Sequence, residues 1–179
     1  KNFKVVKSSA LVDSAEHVYS LKTVTNGDIK TYTISDLPAV YSYTTVSGVT
    51  TYKTSFSGTA VSGSGTYKLL TDVAVTVRLV PGIMASDVVF DLNGHTFTSS
   101  AQDYAILLSR DGSASSHKTF AIVDTSANKG GKIIATGLNP ADSTDAMISA
   151  TGKYNDITTG EGVTLQGGAG AILSESQTL

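Results

Sequence analysis

Phe90-Asp91-Leu92-Asn93-Gly94, Phe120-Ala121-Ile122-Val123-Asp124-Thr125 and Val163-Thr164-Leu165-Gln166-Gly167-Gly168 decide how this chain is read. Each is a short alternating apolar strand that breaks at Asn-Gly, Asp-Thr or Gly-Gly. Each is followed by a second apolar element: Phe97, then Ile133-Ile134, then Ile172-Leu173. A strand–turn–strand unit that recurs in this way predicts a β-solenoid, in which a unit buries its apolar face only by stacking on the next.

The period is irregular. With Leu92, Ile122 and Leu165 taken as equivalent, the spacings are 30 and 43; with Ile106, Met147 and Ile172, they are 41 and 25. The extra length falls in Gly-, Asn- and Asp-rich stretches at residues 109–116 and 138–145. Solenoids accept insertions at loops while keeping their strands. A β-sandwich of short strands shares the alternation and the turn spacing, and stands as the other architecture.

Working outward, Tyr67-Lys68-Leu69-Leu70 and residues 73–80 read as strands, with a turn at Pro81-Gly82. Upstream, Asn26-Gly27 is the strongest hairpin signal. It is flanked by Leu21-Lys22-Thr23-Val24-Thr25 and Ile29-Lys30-Thr31-Tyr32-Thr33-Ile34. A second hairpin is predicted around Ser47-Gly48, between Tyr41-Ser42-Tyr43-Thr44-Thr45-Val46 and Val49-Thr50-Thr51-Tyr52. Residues 1–12 alternate loosely, as in a strand. Residues 14–21 have some helical content but are short enough to be a strand. Residues 57–65 are Ser/Gly-rich and read as a loop, or as the seam between an N-terminal β section (1–65) and the solenoid (66–179). The fold class is therefore all-β: a right-handed parallel β-helix preceded by hairpins, in one continuous unit.

Composition agrees. The 179 residues include 23 Ser, 24 Thr and 17 Gly, and only 16% are charged, which makes poor helix material and good strand and turn material. Net charge is −2 and Arg occurs only at Arg78 and Arg110, so nucleic-acid binding, which needs clustered cations, is not expected. No stretch approaches the roughly 18 apolar residues of a membrane helix. The opening Lys1-Asn2-Phe3-Lys4 does not read as a secretion signal. Cysteine is absent, which removes disulfides and thiolate chemistry, and no Asn-X-Ser/Thr sequon occurs. Ser/Thr richness at low charge points to an exported, cell-surface protein.

Gly65-Thr66-Tyr67-Lys68-Leu69-Leu70-Thr71-Asp72-Val73, followed by Val88-Val89-Phe90-Asp91-Leu92-Asn93-Gly94-His95-Thr96-Phe97, resembles the opening of right-handed parallel β-helix (pectate-lyase-like) regions in bacterial surface proteins. Gly130-Gly131-Lys132-Ile133-Ile134 and Leu165-Gln166-Gly167-Gly168 are similar to the Gly-Gly turns of the same proteins. Tyr52-Lys53-Thr54-Ser55-Phe56 fits their lead-in strand, and the resemblance spans residues 52–173. The amphipathic helix often found next is missing, since residues 57–65 cannot form it. The resemblance implies a fold; such repeats serve adhesins and polysaccharide lyases alike.

A lyase on this scaffold would need outward carboxylates for calcium and a basic residue. The candidates are Asp87, Asp91, Asp124, Lys132 and Arg110. Asp91 and Asp124 occupy similar places, but Asp at a strand end is ordinarily a turn residue that accepts from backbone amides. The third repeat offers Gln166, so no acidic ladder continues. A glycosidase needs two facing carboxylates; Glu occurs only at Glu16, Glu161 and Glu175, while Asp103, Asp111, Asp142, Asp145 and Asp156 scatter through loops. His17, His95 and His117 lack metal-ligand spacing, no G-x-S-x-G elbow occurs, and there is no calcium loop. No catalytic, cofactor-binding or metal residue is assigned, and no cofactor is expected. Tyr32, Tyr41, Tyr43, Tyr52 and Tyr67 suit sugars or protein partners, or simply pack as strand formers.

The expectation is a non-enzymatic extracellular or cell-surface module, adhesive or structural. Its partners would be a host or neighbouring-cell glycan or protein, or copies of itself, with no nucleic acid and no membrane insertion. Two alternatives stand beside it. One is a self-assembling filament or pilus-like subunit joined by strand exchange of residues 1–12, since the last repeat carries no recognisable cap. The other is a polysaccharide-active lyase or hydrolase.

Overall fold

The computed structural model describes residues 3–7, 10–13, 18–36, 40–46, 49–53, 60–61, 64–81, 87–109 and 111–174. All regular structure among them is β, with no helix. β1 (Phe3–Lys7), β2 (Ala10–Asp13), β3 (Val18–Asn26) and β4 (Ile29–Asp36) form an antiparallel sheet in chain order. The expected first strand is thus two strands that pair with one another, Phe3 opposite Asp13. Val18–Asn26 is extended, while residues 14–17 lie outside the described residues. The Asn26-Gly27 hairpin forms, but Asn26 is itself paired with Ile29. The central residues are therefore Gly27 and Asp28, and the positive φ, +58°, falls at Gly27. Glycine at the first central position is the II′ arrangement, whose twist matches the flanking strands.

β5 (Val40–Val46) and β6 (Val49–Lys53) make the second expected hairpin, Val46 opposite Val49. β7 (Ala60–Val61) places a short strand inside the stretch expected to be a loop. Twelve more strands follow in four groups of three. The first is β8 (Gly65–Leu69), β9 (Val73–Val75) and β10 (Val80–Pro81). The second is β11 (Asp87–Asp91), β12 (Thr96–Ser99) and β13 (Tyr104–Leu108). The third is β14 (Lys118–Val123), β15 (Lys132–Ala135) and β16 (Ala146–Ala150), and the fourth β17 (Asn155–Thr159), β18 (Thr164–Gln166) and β19 (Gly170–Ser174).

Every third strand pairs in parallel. One sheet runs β17-β14-β11-β8 and continues antiparallel into β5-β6; a second runs β18-β15-β12-β9; a third runs β13-β16-β19. β10 pairs with β7, and a parallel bridge from Leu79 to Ile106 joins that pair to the third sheet. The Val40–Lys53 hairpin therefore shares a sheet with residues beyond 65.

Register corrects two equivalences drawn from the sequence. Phe90, not Leu92, lies opposite Ile122, and Ile106 pairs with Ile148 rather than Met147. The stretch Val163–Gly168 does not continue the Phe90 and Phe120 strands. That place belongs to Asn155–Thr159, while Leu165 pairs with Ile133 and Ile172 with Ile148. The physical result is columns of like side chains. Tyr67, Phe90 and Ile122 form one, Val73, Phe97, Ile133 and Leu165 another, and Leu79, Ile106 and Ile148 a third. Phe90, Phe97, Phe120, Ile106 and Ile133 are fully buried. Phe90 and Phe97, from different sheets, meet edge-to-face at 5.5 Å, so one core lies between the sheets.

Gly131 shows why a glycine precedes β15. A Cβ there would stand 2.6 Å from Leu92 Cβ and 2.8 Å from Asp124 Oδ2. Gly131→Ala is expected to cost about 1–3 kcal/mol by overpacking a full site, read as a lower urea midpoint with unchanged slope.

Candidate functional site

Two of the candidate aspartates, Asp91 and Asp124, bond the backbone. Asp91 is buried and accepts from Asn93 N (3.0 Å), Thr125 N (3.0 Å) and Thr125 Oγ1 (2.6 Å). Asp124, one group on, accepts from Ser126 N (2.9 Å), Gly94 N (2.9 Å) and Gly131 N (2.6 Å). Each carboxylate thus closes its own strand-end turn and reaches the neighbouring group, where parallel pairing sets the two turns side by side. Burial alone would raise the pKa of Asp124, but hydrogen bonds from Ser126, Gly131 and Gly94 outweigh it and hold the carboxyl below its ordinary value.

The remaining candidates disperse. Asp87 is exposed and accepts from Thr119 Oγ1 at 2.7 Å. Lys132 is exposed on β15, in a different sheet from Asp91. Arg110 and His17 lie outside the described residues. His95 is half-buried, its Nδ1 3.5 Å from Asp72. His117 and Asp156, 39 residues apart, pair at 2.9 Å with the Tyr154 ring beside the imidazole. Asp145 is buried and accepts from Asn139 N, Asp111 accepts from Lys153 N, and Asp142 from Thr144. Among the described residues no three His, Asp or Glu side chains gather in a way that could hold a metal ion. Of the tyrosines, Tyr67 is buried, which pushes its phenol up, and Tyr32 is exposed. The side chains of Tyr41, Tyr43 and Tyr52 lie outside the described residues.

The described surface offers an open concavity that composition did not signal. It occupies about 590 Å³ and opens to solvent at the corner between the second and third sheets. Thr76, Val77, Arg78 and Val80 form one wall, and Ser100, Ala101, Gln102 and Asp103 the other. Its size falls within the range of about 300–1,000 Å³ usual for small-molecule sites. The Arg78 guanidinium lies 5.5 Å from the centre of the Tyr104 ring and 3.9 Å from Asp103 Oδ2. The ring face lies within cation–π reach of the guanidinium, and the carboxylate is a loose, exposed neighbour.

The backbone there is strained and tied down. Asp103 has φ +68°, and Tyr104 N donates to Gln102 O at 2.9 Å across it, a γ-turn of the rarer positive-φ kind. Strain of this type persists only where the surroundings enforce it, and it concentrates at functional positions. Enforcement is visible: Ala146 N donates to Asp103 O, Ser99 Oγ donates to Val77 O at 2.9 Å, and Ala101 N donates to Ser99 Oγ. Leu79 N donates to Ala105 O, and Leu107 N donates to Leu79 O, stitching the two walls together.

Comparison of the chain with protein-family models, with curated proteins and with solved structures finds no match.

Proposed function

We propose that the chain is a right-handed parallel β-helix preceded by a hairpin section, and that it serves as a non-enzymatic module on a cell surface or outside the cell. The observation that carries the architecture is the stride of three: β8, β11, β14 and β17 pair in parallel, as do β9, β12, β15 and β18. A chain that returns to the same sheet every third strand, with like side chains in columns, is a stack of repeats. Such a scaffold is rigid and elongated, and suits the display of a site at its side. The partner is a host or neighbouring-cell glycan or protein.

Two of the three aspartates that a lyase would use, Asp91 and Asp124, are engaged with backbone amides, which supports a non-enzymatic role. The self-assembling subunit is a second reading, favoured by one feature: among the described residues β17, β18 and β19 each have a strand partner on one side only, with Ile157, Val163 and Leu165 half-buried at that end. Unpaired strand edges recruit other strands. Residues 3–7 and 10–13 are already paired with one another, so a donor segment would first have to leave its own sheet.

Light scattering with negative-stain electron microscopy, run beside a glycan and host-protein screen, separates these readings. The expected result is a monomeric short rod that binds a partner without changing it. Polymers that disappear on deletion of residues 1–12 would establish the subunit instead, and release of unsaturated or reducing sugars from a uronate polysaccharide would establish an enzyme.

A further inference from the structure

We propose that the corner cleft at Arg78, Gln102 and Asp103 is a binding subsite for a neutral saccharide, engaged through neighbouring hydroxyl groups. This rests on reading the chain as a surface module with a glycan or protein partner, and it chooses between the two.

Charge balance selects the ligand. Arg78 and Asp103 face each other as one cation and one anion. An anionic ligand drawn to the guanidinium meets the Asp103 carboxylate, which is the more exposed of the two at 64% against 34%. A cationic ligand meets the reverse. At 3.9 Å the pair is looser than a charge-assisted hydrogen bond of about 2.7–2.9 Å. The guanidinium therefore keeps N–H donors, and the carboxylate keeps lone pairs, for a third group placed between or above them. A ligand that satisfies both must be uncharged and must donate and accept from adjacent atoms. Two neighbouring sugar hydroxyls do this, since each donates once and accepts twice. The Gln102 amide and the Thr76 and Ser100 hydroxyls extend the same mixed lining.

Geometry favours a sugar over a peptide. An extended peptide presents its polar groups as a ladder and adds to a strand edge. The cleft instead presents side chains at a corner, between residues 76–80 and 100–103. Its walls are held by Ser99 and by the Leu79 hydrogen bonds, so the backbone that carries these side chains is already in place before a ligand binds.

The test is a two-dimensional NMR titration of the 179-residue protein. The probes are neutral hexose and N-acetylhexosamine oligosaccharides, carboxylated oligosaccharides and an unstructured neutral peptide. Saturable shifts at Arg78, Gln102 and Asp103 are expected with a neutral sugar, weakened at least about tenfold in Arg78→Ala and in Gln102→Ala. Asp103→Asn tolerates the same positive φ, so it keeps the fold while leaving Arg78 unopposed. That variant should gain at least about tenfold for the carboxylated sugars over the neutral ones, because the repelling charge has gone. Saturable binding of only carboxylated sugars or only peptide by the unaltered protein, binding located elsewhere, or no saturable binding at all overturns the assignment. A glycan or protein bound at another face would leave the surface-module reading standing; cleavage of any of the sugars would remove that reading as well.

Discussion

Asp124→Ala is expected to destabilise the protein by about 3–5 kcal/mol, the effect of withdrawing one acceptor from three backbone amides at once. The amides belong to Gly94, Ser126 and Gly131, so the side chain ties its own turn to the turn of the neighbouring group. Gly131 is buried and its N–H lies 2.6 Å from the carboxylate; with Asp124 gone it has no replacement acceptor short of admitting water. Hydrogen bonds to a charged group are worth about 1.5–3 kcal/mol each, and water reaching Gly94 and Ser126 recovers part of the sum. Asp124→Asn should fall between, because its amide group places a donor where one of the amides needs an acceptor. The pH dependence has a definite sign. The folded carboxyl is held below its ordinary value, so its contribution is complete above about pH 4 and is lost as pH falls through the folded value. Urea unfolding at neutral and acid pH checks both claims. A loss below about 1 kcal/mol at pH 7 would show that the bonds are replaced by water and that the turn reading overstates them.

Most strands, and the bonds of the strand-end aspartates to their own turns, were legible in the sequence because both are local; the bonds of Asp91 to Thr125 and of Asp124 to Gly94 were not. Alternation within Asp87–Asp91 or Lys132–Ala135 reveals an inward face, and Asp91 bonds Asn93 two residues on. The sheet to which a strand belongs was not legible. The first and second sheets carry the same kind of short apolar strand, so Val163-Thr164-Leu165 looks like Val88-Val89-Phe90 although their partners lie in different sheets. Only the loop lengths could have told them apart, and those vary from group to group. Turn chemistry was legible to within one residue: Asn26-Gly27 marked the hairpin, yet Gly27-Asp28 are its central pair. The corner cleft was illegible for a plainer reason. Arg78 and Asp103 stand 25 residues apart in residue types that are common on any surface, and parallel stacking alone brings them together.

Phe90→Ala is the second large effect, about 3–5 kcal/mol for an aromatic removed from a closed site. Phe90 is fully buried, lies opposite Tyr67 on one side and Ile122 on the other, and meets Phe97 edge-to-face across the core. Collapse of the void would require neighbours on three strands to shift together, and each is fixed by its own ladder. The adjacent Val89 is the control, because it points to the opposite face and is only half-buried. Val89→Ala should cost less than about 1.5 kcal/mol. A slip of one residue in β11 would exchange the two results, since alternation sends neighbouring side chains to opposite faces; the pair of variants therefore tests the register as well as the core. On the proposed β-helix reading there is a further consequence. Repeats in a stack are coupled only to their neighbours, and Phe90 sits in the second of four groups. Its loss should loosen the second group from the first and the third, so that urea unfolding of the variant becomes broader or separates into two steps, while a β-sandwich with the same side chain removed would keep a single transition of unchanged slope.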